Sequence, residues 1–185
     1  MPIHYDYIKS FLGLKEGYRL DGYVPMQNGQ VMGQSGVTIG KGVDLGQQDA
    51  MGLAIMGVPS EIINKLRPYF GLKKAAAVSA IKSRPLTLTE EEAATLSECV
   101  ANHYIHSTRD RFNRRAVERN AFEAAPKQVQ AVAVSLEYQR GPAWAREHIA
   151  LLAGGNYKSC VRLLESDTEY VSRRKSEAAL IREVM

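Results

Sequence analysis

Glycines are concentrated in the first quarter of this 185-residue chain, which limits the folds that it can adopt. Eight of the fifteen glycines lie within residues 17–46, among residues that favour β-structure. Because glycine enters turn conformations easily, the backbone is expected to change direction repeatedly here, whereas most of the later chain has helical periodicity. We predict short antiparallel strands at residues 18–25, 30–32 and 37–39, with turns at Asn28-Gly29 and Ser35-Gly36.

A carboxyl group precedes this glycine-rich segment. Apolar residues recur at helical spacing from Ile3 to Leu14, and Glu16 ends that helix just before Gly17, a residue typical of helix ends. A carboxyl group beside apolar side chains is partly desolvated, which favours its protonated form. Glu16 is therefore a candidate general acid.

A hydroxyl group and a second carboxyl group follow within the same segment. Alternation along Val37-Thr38-Ile39 points Thr38 away from the two apolar side chains, and hence away from the small core. Glycines at positions 40 and 42 then bend the chain, which would bring Asp44 back beside Thr38. Two carboxyl groups and a hydroxyl flanking a groove can protonate a glycosidic oxygen and direct a water molecule at the anomeric carbon.

These motifs resemble those of phage-type lysozymes of the T-even kind. The resemblance lies in L-x-x-x-E-G-x-R-L around Glu16 and in V-T-I-G-x-G around Thr38. It implies that Glu16 is the general acid. That family has an aspartate nine residues after the glutamate, whereas this chain has Pro25 there. The run T-I-G-K-G-V-D instead resembles pesticin and related prophage endolysins, which implies that Thr38 and Asp44 position the attacking water. Asp21 is the competing second carboxylate.

The resemblance continues in two later segments. The run S-L-E-Y-Q-R-G matches the family helix whose terminal glutamine lines the saccharide groove, which makes Gln139 a substrate-binding candidate. A plain helix C-terminus is an equally good interpretation of Gln139, and Tyr138 beside it is better explained by core packing. V-S-R-R-K-S-E-A-A-L matches the family segment whose first arginine approaches the catalytic glutamate, and that position is Arg173 here.

The predicted fold class is α+β and mostly helical. The resemblance implies a single lysozyme-like domain, residues 1–185, with two lobes and a cleft between them. Residues 12–46 would form a small lobe with an antiparallel β-sheet, and residues 47–185 a larger helical lobe on which the first helix packs. Thr89 to Glu92 form a capping box that opens a long helix.

The net charge of 24 − 20 = +4 is distributed unevenly. Residues 107–119 hold five arginines and two acidic residues, a net charge of +3. We call the arginines of this segment the basic cluster: Arg109, Arg111, Arg114, Arg115 and Arg119. Such a cluster can attract an anionic outer-membrane surface, but a solvated helix end is the favoured interpretation. We expect no nucleic-acid partner and a monomer.

Two cysteines, Cys99 and Cys160, are too few for a disulfide framework, and reduced, buried thiols are favoured over a bridge. Cys99, His103 and His106 share one helical face, but no fourth ligand is evident, so we expect no metal and no cofactor.

The N-terminus lacks the features of a secretory signal peptide. The resemblance therefore implies synthesis in the host cytoplasm and release to the periplasmic cell wall through a holin pore.

The sequence is compatible with three functions. The first is a muramidase (EC 3.2.1.17) that hydrolyses the β-1,4 bond between N-acetylmuramic acid and N-acetylglucosamine of peptidoglycan. The second is a lytic transglycosylase that uses Glu16 alone and leaves an anhydro product; Thr38 and Asp44 argue against it. The third is a non-catalytic helical protein that binds glycan or nucleic acid, for which the basic cluster is the best support.

Overall fold

The computed structural model describes residues 2–185, apart from the side chain of Glu16. Two compact units make up the chain. One unit contains the chain up to Lys15 together with Tyr104–Met185, and the other contains Glu16–His103. The first is helical, and the second combines short antiparallel strands with helices. The predicted fold class, α+β and mostly helical, is confirmed.

The Glu16–His103 unit holds the strands. They are β1 (Arg19–Tyr23), β2 (Met26–Gln27), β3 (Gln30–Val31), β4 (Thr38–Gly40) and β5 (Val43–Asp44). A three-stranded antiparallel sheet has the order β1-β4-β5, and β2 and β3 form a separate hairpin. Asn28 and Gly29 close that hairpin with φ angles of 51° and 77°, as the Asn-Gly pair predicts.

The free edge of β1 is covered by the segment that precedes the long helix. Gly22 N donates to Leu86 O at 2.8 Å, and Leu88 N donates to Leu20 O at 2.9 Å. Apolar side chains of the sheet region are almost completely buried: Val37, Ile39, Val43 and Leu45. This small core fixes the register of β4 and β5, because a shift by one residue would turn its side chains to the other face.

Helices of the same unit follow the sheet. They are α2 (Ala50–Ile55), α3 (Ser60–Leu66), α4 (Lys74–Ser83) and the first part of α5 (Glu90–Asn113). The predicted capping box is confirmed at the start of α5: Glu92 N donates to Thr89 Oγ1 at 3.2 Å, and Thr89 N donates to Glu92 Oε2 at 3.0 Å.

The helical unit is built around α7. Its helices are most of α1 (Tyr5–Glu16), the end of α5, α6 (Ala121–Ala124), α7 (Lys127–Trp144), α8 (Arg146–Ala153), α9 (Tyr157–Ser166) and α10 (Val171–Arg182). Every residue of α7 from Val129 to Glu137 is buried. At Gly141 the backbone leaves the helical region, with φ 77° and ψ 166°, so the straight part of α7 ends there.

The predicted end of the small lobe near residue 46 stays a prediction. The compact unit that holds the sheet continues to His103 and includes α2, α3 and α4. The segment 86–88, which follows α4, belongs to this unit because it is hydrogen-bonded to β1. Within the described residues, no helix combines the length and the apolarity that crossing a bilayer requires.

Candidate active site

Thr38 and Asp44 lie directly opposite each other in the sheet. They are register partners across the antiparallel pair β4–β5, so their side chains emerge on the same face. The intervening turn uses Gly40 and Gly42, whose φ angles are 62° and 72°. The sequence predicted this return of Asp44 to Thr38, and the structure has it.

The Asp44 carboxylate is held by two backbone amides. Its Oδ1 atom accepts hydrogen bonds from Gly36 N at 3.0 Å and from Gly46 N at 2.8 Å. A side chain at position 36 would not fit, because its Cβ would lie 2.5 Å from Leu72 O and 2.6 Å from Gly46. Both of these hydrogen bonds are to Oδ1, so Oδ2 is the oxygen that can accept a hydrogen bond from a water molecule.

The environment of Asp44 alters its protonation. Partial burial raises the pKa of the Asp44 carboxyl above its ordinary value of 3.8. The amides of Gly46 and Gly36 and the charge of Lys73 act in the opposite direction and lower it. Lys73 is itself hydrogen-bonded to Gln47 Oε1 at 3.2 Å. Burial is the larger effect, so the net pKa is raised. Above this raised pKa the Asp44 carboxyl is ionised and can act as a base.

Thr38 is less accessible than the sequence suggested. We expected its side chain to point away from the core, but only 4% of the residue is exposed. Its hydroxyl donates to Gly36 O at 3.4 Å, a long hydrogen bond. Gly36 therefore anchors both candidate residues, through its carbonyl and its amide. Sequence reasoning treated Gly36 as a turn residue only, and no local signal marked its contacts with β5.

Asp21 occupies a different environment in β1. It is exposed, it forms an isolated bridge with Thr87, and its Oδ1 accepts a hydrogen bond from the Thr87 hydroxyl at 2.6 Å. Asp21 thus fastens the segment 86–88 to the edge of the sheet. This contact gives Asp21 a structural role at the edge of the sheet.

Glu16 is the last residue of α1, and Gly17 follows with φ 69°, as predicted for a helix stop. The side chain of Glu16 lies outside the described residues. The role of Glu16 as the acid stays a prediction.

Gln139 and Arg173 belong to the helical unit. Arg173 donates to Ser135 Oγ at 3.0 Å, to Ser135 O at 3.3 Å and to Glu177 Oε1 at 3.3 Å. Gln139 Oε1 accepts a hydrogen bond from Arg174 Nη2. Sequence reasoning missed Arg174, which is 1% exposed, because a second arginine on a helix is most often a surface residue.

The residues considered for a metal make other contacts. Cys99 donates to Gly57 O at 3.4 Å, and His106 Nε2 lies 3.4 Å from the Tyr5 hydroxyl. Over residues 2–185, apart from the Glu16 side chain, no group of three potential ligands is suited to a metal ion. Both cysteines are free thiols; burial raises the pKa of Cys160 to about 12, and Cys99 is only half-buried.

The basic cluster is less cationic at the surface than its sequence implies. Arg111 forms a salt bridge with the buried Glu137, and Arg109 pairs with Asp110 at 2.6 Å and approaches Glu123 at 3.9 Å. Arg114, Arg115 and Arg119 are exposed. Any attraction of anionic surfaces therefore depends mainly on these three residues.

Comparison with known proteins identifies the family. The family model described as "Pesticin: Bacterial toxin homologue of phage lysozyme, C-term" matches residues 6–151. The chain belongs to this pesticin family. A crystal structure of a P22 lysozyme mutant matches the fold with a TM-score of 0.52 and 19% sequence identity, over 98% of this chain and 99% of that one. No curated protein matches the chain in sequence.

Membership of the pesticin family and the lysozyme-like fold support a glycoside hydrolase of the lysozyme kind, with peptidoglycan as its substrate. The resemblance stated from the motifs is thereby confirmed at the level of family and fold. The roles of the individual residues remain predictions.

Proposed function

We propose that this protein is a peptidoglycan muramidase that hydrolyses the β-1,4 bond between N-acetylmuramic acid and N-acetylglucosamine. The observation that carries the proposal is the pairing of Thr38 with Asp44, whose Oδ1 is fixed by Gly36 and Gly46. A carboxylate anchored through one oxygen holds the other in a defined position, as the orientation of a water molecule requires.

In the proposed mechanism, Glu16 protonates the leaving glycosidic oxygen, and Asp44 with Thr38 directs water at the anomeric carbon. Gln139 and Arg173 bind the saccharide. A water held opposite the acid requires carboxyl groups about 6.5–9.5 Å apart and inverts the anomeric centre, whereas a nucleophilic carboxylate would stand about 5–5.5 Å away and retain it. We favour inversion, because a hydroxyl beside the carboxylate helps to orient a water molecule.

The test is hydrolysis of purified peptidoglycan by the parent protein and by Glu16→Gln. The amide is nearly isosteric but cannot donate an acidic proton, so we expect cleavage to be abolished while the circular dichroism spectrum is preserved. A folded Glu16→Gln protein that retains more than a small percentage of the activity would refute the role of Glu16.

Product analysis distinguishes the enzymatic alternatives. Mass spectrometry should detect free reducing ends; anhydro-muramic ends would indicate a lytic transglycosylase instead. Proton NMR of freshly released ends should show the α-anomer first, since the substrate is β-linked. An initial β-anomer would exclude the water-positioning mechanism.

For the biological role, we propose an endolysin that is made in the host cytoplasm and reaches the periplasmic cell wall through a holin, as a monomer. A bacteriocin domain is the alternative, and the family description favours it. Coexpression with and without a holin separates the two, because only the endolysin should lyse its own producer in a holin-dependent manner.

A further inference from the structure

Arg174 is a buried cation in the helical unit, with 1% of the residue exposed. Its Nε donates to Asp167 Oδ2 at 3.2 Å, its Nη1 donates to Glu177 Oε2, and its Nη2 donates to Gln139 Oε1. The guanidinium carbon also lies 4.8 Å from the ring centroid of Trp144. Contacts on all three nitrogens and on one face fix the orientation of this planar group.

The contact with Arg174 determines which way the Gln139 amide faces. A guanidinium group carries only donors, so the amide oxygen must be the atom that faces it. The Nε2 atom of Gln139, with its two N–H groups, is therefore directed away from Arg174. Gln139 is half-buried, at the end of the straight part of α7, so its amide is not enclosed by the core.

A second set of contacts joins the same two helices one turn earlier. Glu177 of α10 is completely buried, and its Oε1 accepts hydrogen bonds from Ser135 Oγ at 2.6 Å and from Arg173 Nε at 3.3 Å. Ser135 and Gln139 are four residues apart on α7, so both are tied to α10 along one face. This arrangement holds the backbone of α7 as well as the tip of the Gln139 side chain.

We propose that Arg174 is a positioning residue that makes Gln139 a pure hydrogen-bond donor toward an acceptor oxygen of the bound glycan. The proposal rests on the proposed function, in which Gln139 binds the saccharide. Acetamido carbonyls and sugar hydroxyls both offer acceptor oxygens. An amide that is free to rotate could present either its oxygen or its nitrogen, whereas the fixed one selects acceptors.

The first experiment compares Gln139→Glu with Gln139→Met, each in the Glu16→Gln background so that glycan is bound without turnover. Glutamate keeps an oxygen for Arg174 but has no N–H group, and methionine has neither. We expect both variants to raise the Kd for purified, N-acetylated glycan strands by about fivefold to tenfold, the loss of roughly one hydrogen bond. Binding by Gln139→Glu equal to that of the parent would overturn the proposal.

The second experiment tests whether Arg174 acts through Gln139. Arg174→Lys should raise the Kd several-fold alone but add nothing in a Gln139→Met protein; additive losses would mean a general structural role and would refute the proposal. Without any glycan, Arg174→Lys should also shift the side-chain amide resonances of Gln139 in a ¹H–¹⁵N spectrum. Unchanged resonances would contradict the contact itself, whatever the enzyme activity.

A third arm identifies the acceptor and separates this proposal from the proposed function. If the acceptor is an acetamido carbonyl, the parent should bind N-deacetylated strands more weakly than N-acetylated ones, whereas the Gln139→Met protein should bind both equally. An equal loss of affinity on deacetylation in the two proteins would indicate that the acceptor is a hydroxyl. Glycan binding with the expected variant effects but without hydrolysis would refute the muramidase function alone. Hydrolysis unaffected by Gln139→Glu, with binding unchanged, would refute this proposal alone.

Discussion

At the scale of the residue, Asp44 combines a structural task with its proposed catalytic one. It caps the turn after β5 through Gly46 N and holds Gly36 N, so removing the side chain would release two backbone donors in a close-packed region. Asparagine keeps an oxygen for both donors and removes the charge. Substitution by asparagine is therefore the variant that separates chemistry from folding at this position.

The two aspartates give the first prediction. Asp44→Asn should lower kcat by at least about a hundredfold with the fold intact, because a neutral amide neither attracts nor activates water. Asp21→Asn should retain most of the activity, since Asp21 contacts Thr87 at the edge of the sheet. Turbidity assays on Gram-negative cells stripped of their outer membrane measure both. A larger loss for Asp21→Asn would reverse the assignment.

His148 gives a prediction about pH. His148 is 5% exposed, and its ring stacks on that of Trp144 with 4.6 Å between the ring centroids. Neither ring nitrogen of His148 has a hydrogen-bond partner among the described residues. Burial lowers the pKa of His148 from 6.5 to about 4, assisted by the charge of Arg174 and opposed by that of Asp167. The neutral form is thus favoured in the folded state.

The sign of the effect follows from proton binding. Between pH 6.5 and about 4 the unfolded chain binds a proton at His148 that the folded protein does not, so stability is lost as pH falls through this window, by about 3 kcal/mol at most. Urea unfolding at pH 7 and pH 5 measures it. His148→Phe should keep the stack and lose less stability on acidification; an unchanged pH dependence would contradict the assignment.

At the scale of the element, α7 is a buried helix that carries charged and polar groups in its core-facing positions. Glu137 is 1% exposed and accepts hydrogen bonds from Arg111 Nε and from the Thr108 hydroxyl, both at 2.8 Å. Gln130 accepts from His4 N at 3.0 Å and donates to Ala125 O at 3.0 Å. These contacts connect α7 to α5 and to the N-terminal segment, and they explain how an α-helix can be buried with polar residues in it.

The pair Arg111–Glu137 gives an element-scale prediction. Glu137→Gln should lower the free energy of unfolding by about 3–5 kcal/mol, because it leaves a partly buried guanidinium without its counter-charge. The matched control is Glu169→Gln, which breaks the pair with Arg140 at a site where Glu169 is 65% exposed; we expect a loss below about 1 kcal/mol. Similar losses for both variants in urea titrations would contradict the ranking.

At the scale of the whole molecule, the chain has a net charge of +4. The basic cluster exposes less of its positive charge than its arginines suggest. Arg111 is sequestered by Glu137 and Arg109 is paired with acidic neighbours, so a test of surface binding should leave these two residues intact. The exposed members Arg114, Arg115 and Arg119 are the suitable targets.

The corresponding prediction concerns lipopolysaccharide. If the basic cluster engages anionic surfaces, replacing Arg114, Arg115 and Arg119 with glutamine should weaken binding to lipopolysaccharide and flatten its salt dependence, because counter-charge attraction is screened. Hydrolysis of purified glycan should be unchanged. Equal binding by parent and variant would leave a solvated surface as the interpretation of this cluster.

The sequence by itself determined the family, the fold class and the pairing of Thr38 with Asp44. Those features depend on local rules: glycines that permit positive φ angles, an Asn-Gly turn, a capping box, helical periodicity and motif spacing. Only the tertiary structure decided the burial of Thr38, the anchoring of Asp44 by Gly36, the extent of the sheet-containing unit and the position of Arg174 behind Gln139. The Arg174–Gln139 contact joins residues 35 positions apart, and the Gly36–Asp44 contact joins residues eight positions apart. In both cases local propensity carries no information about which donor meets which acceptor.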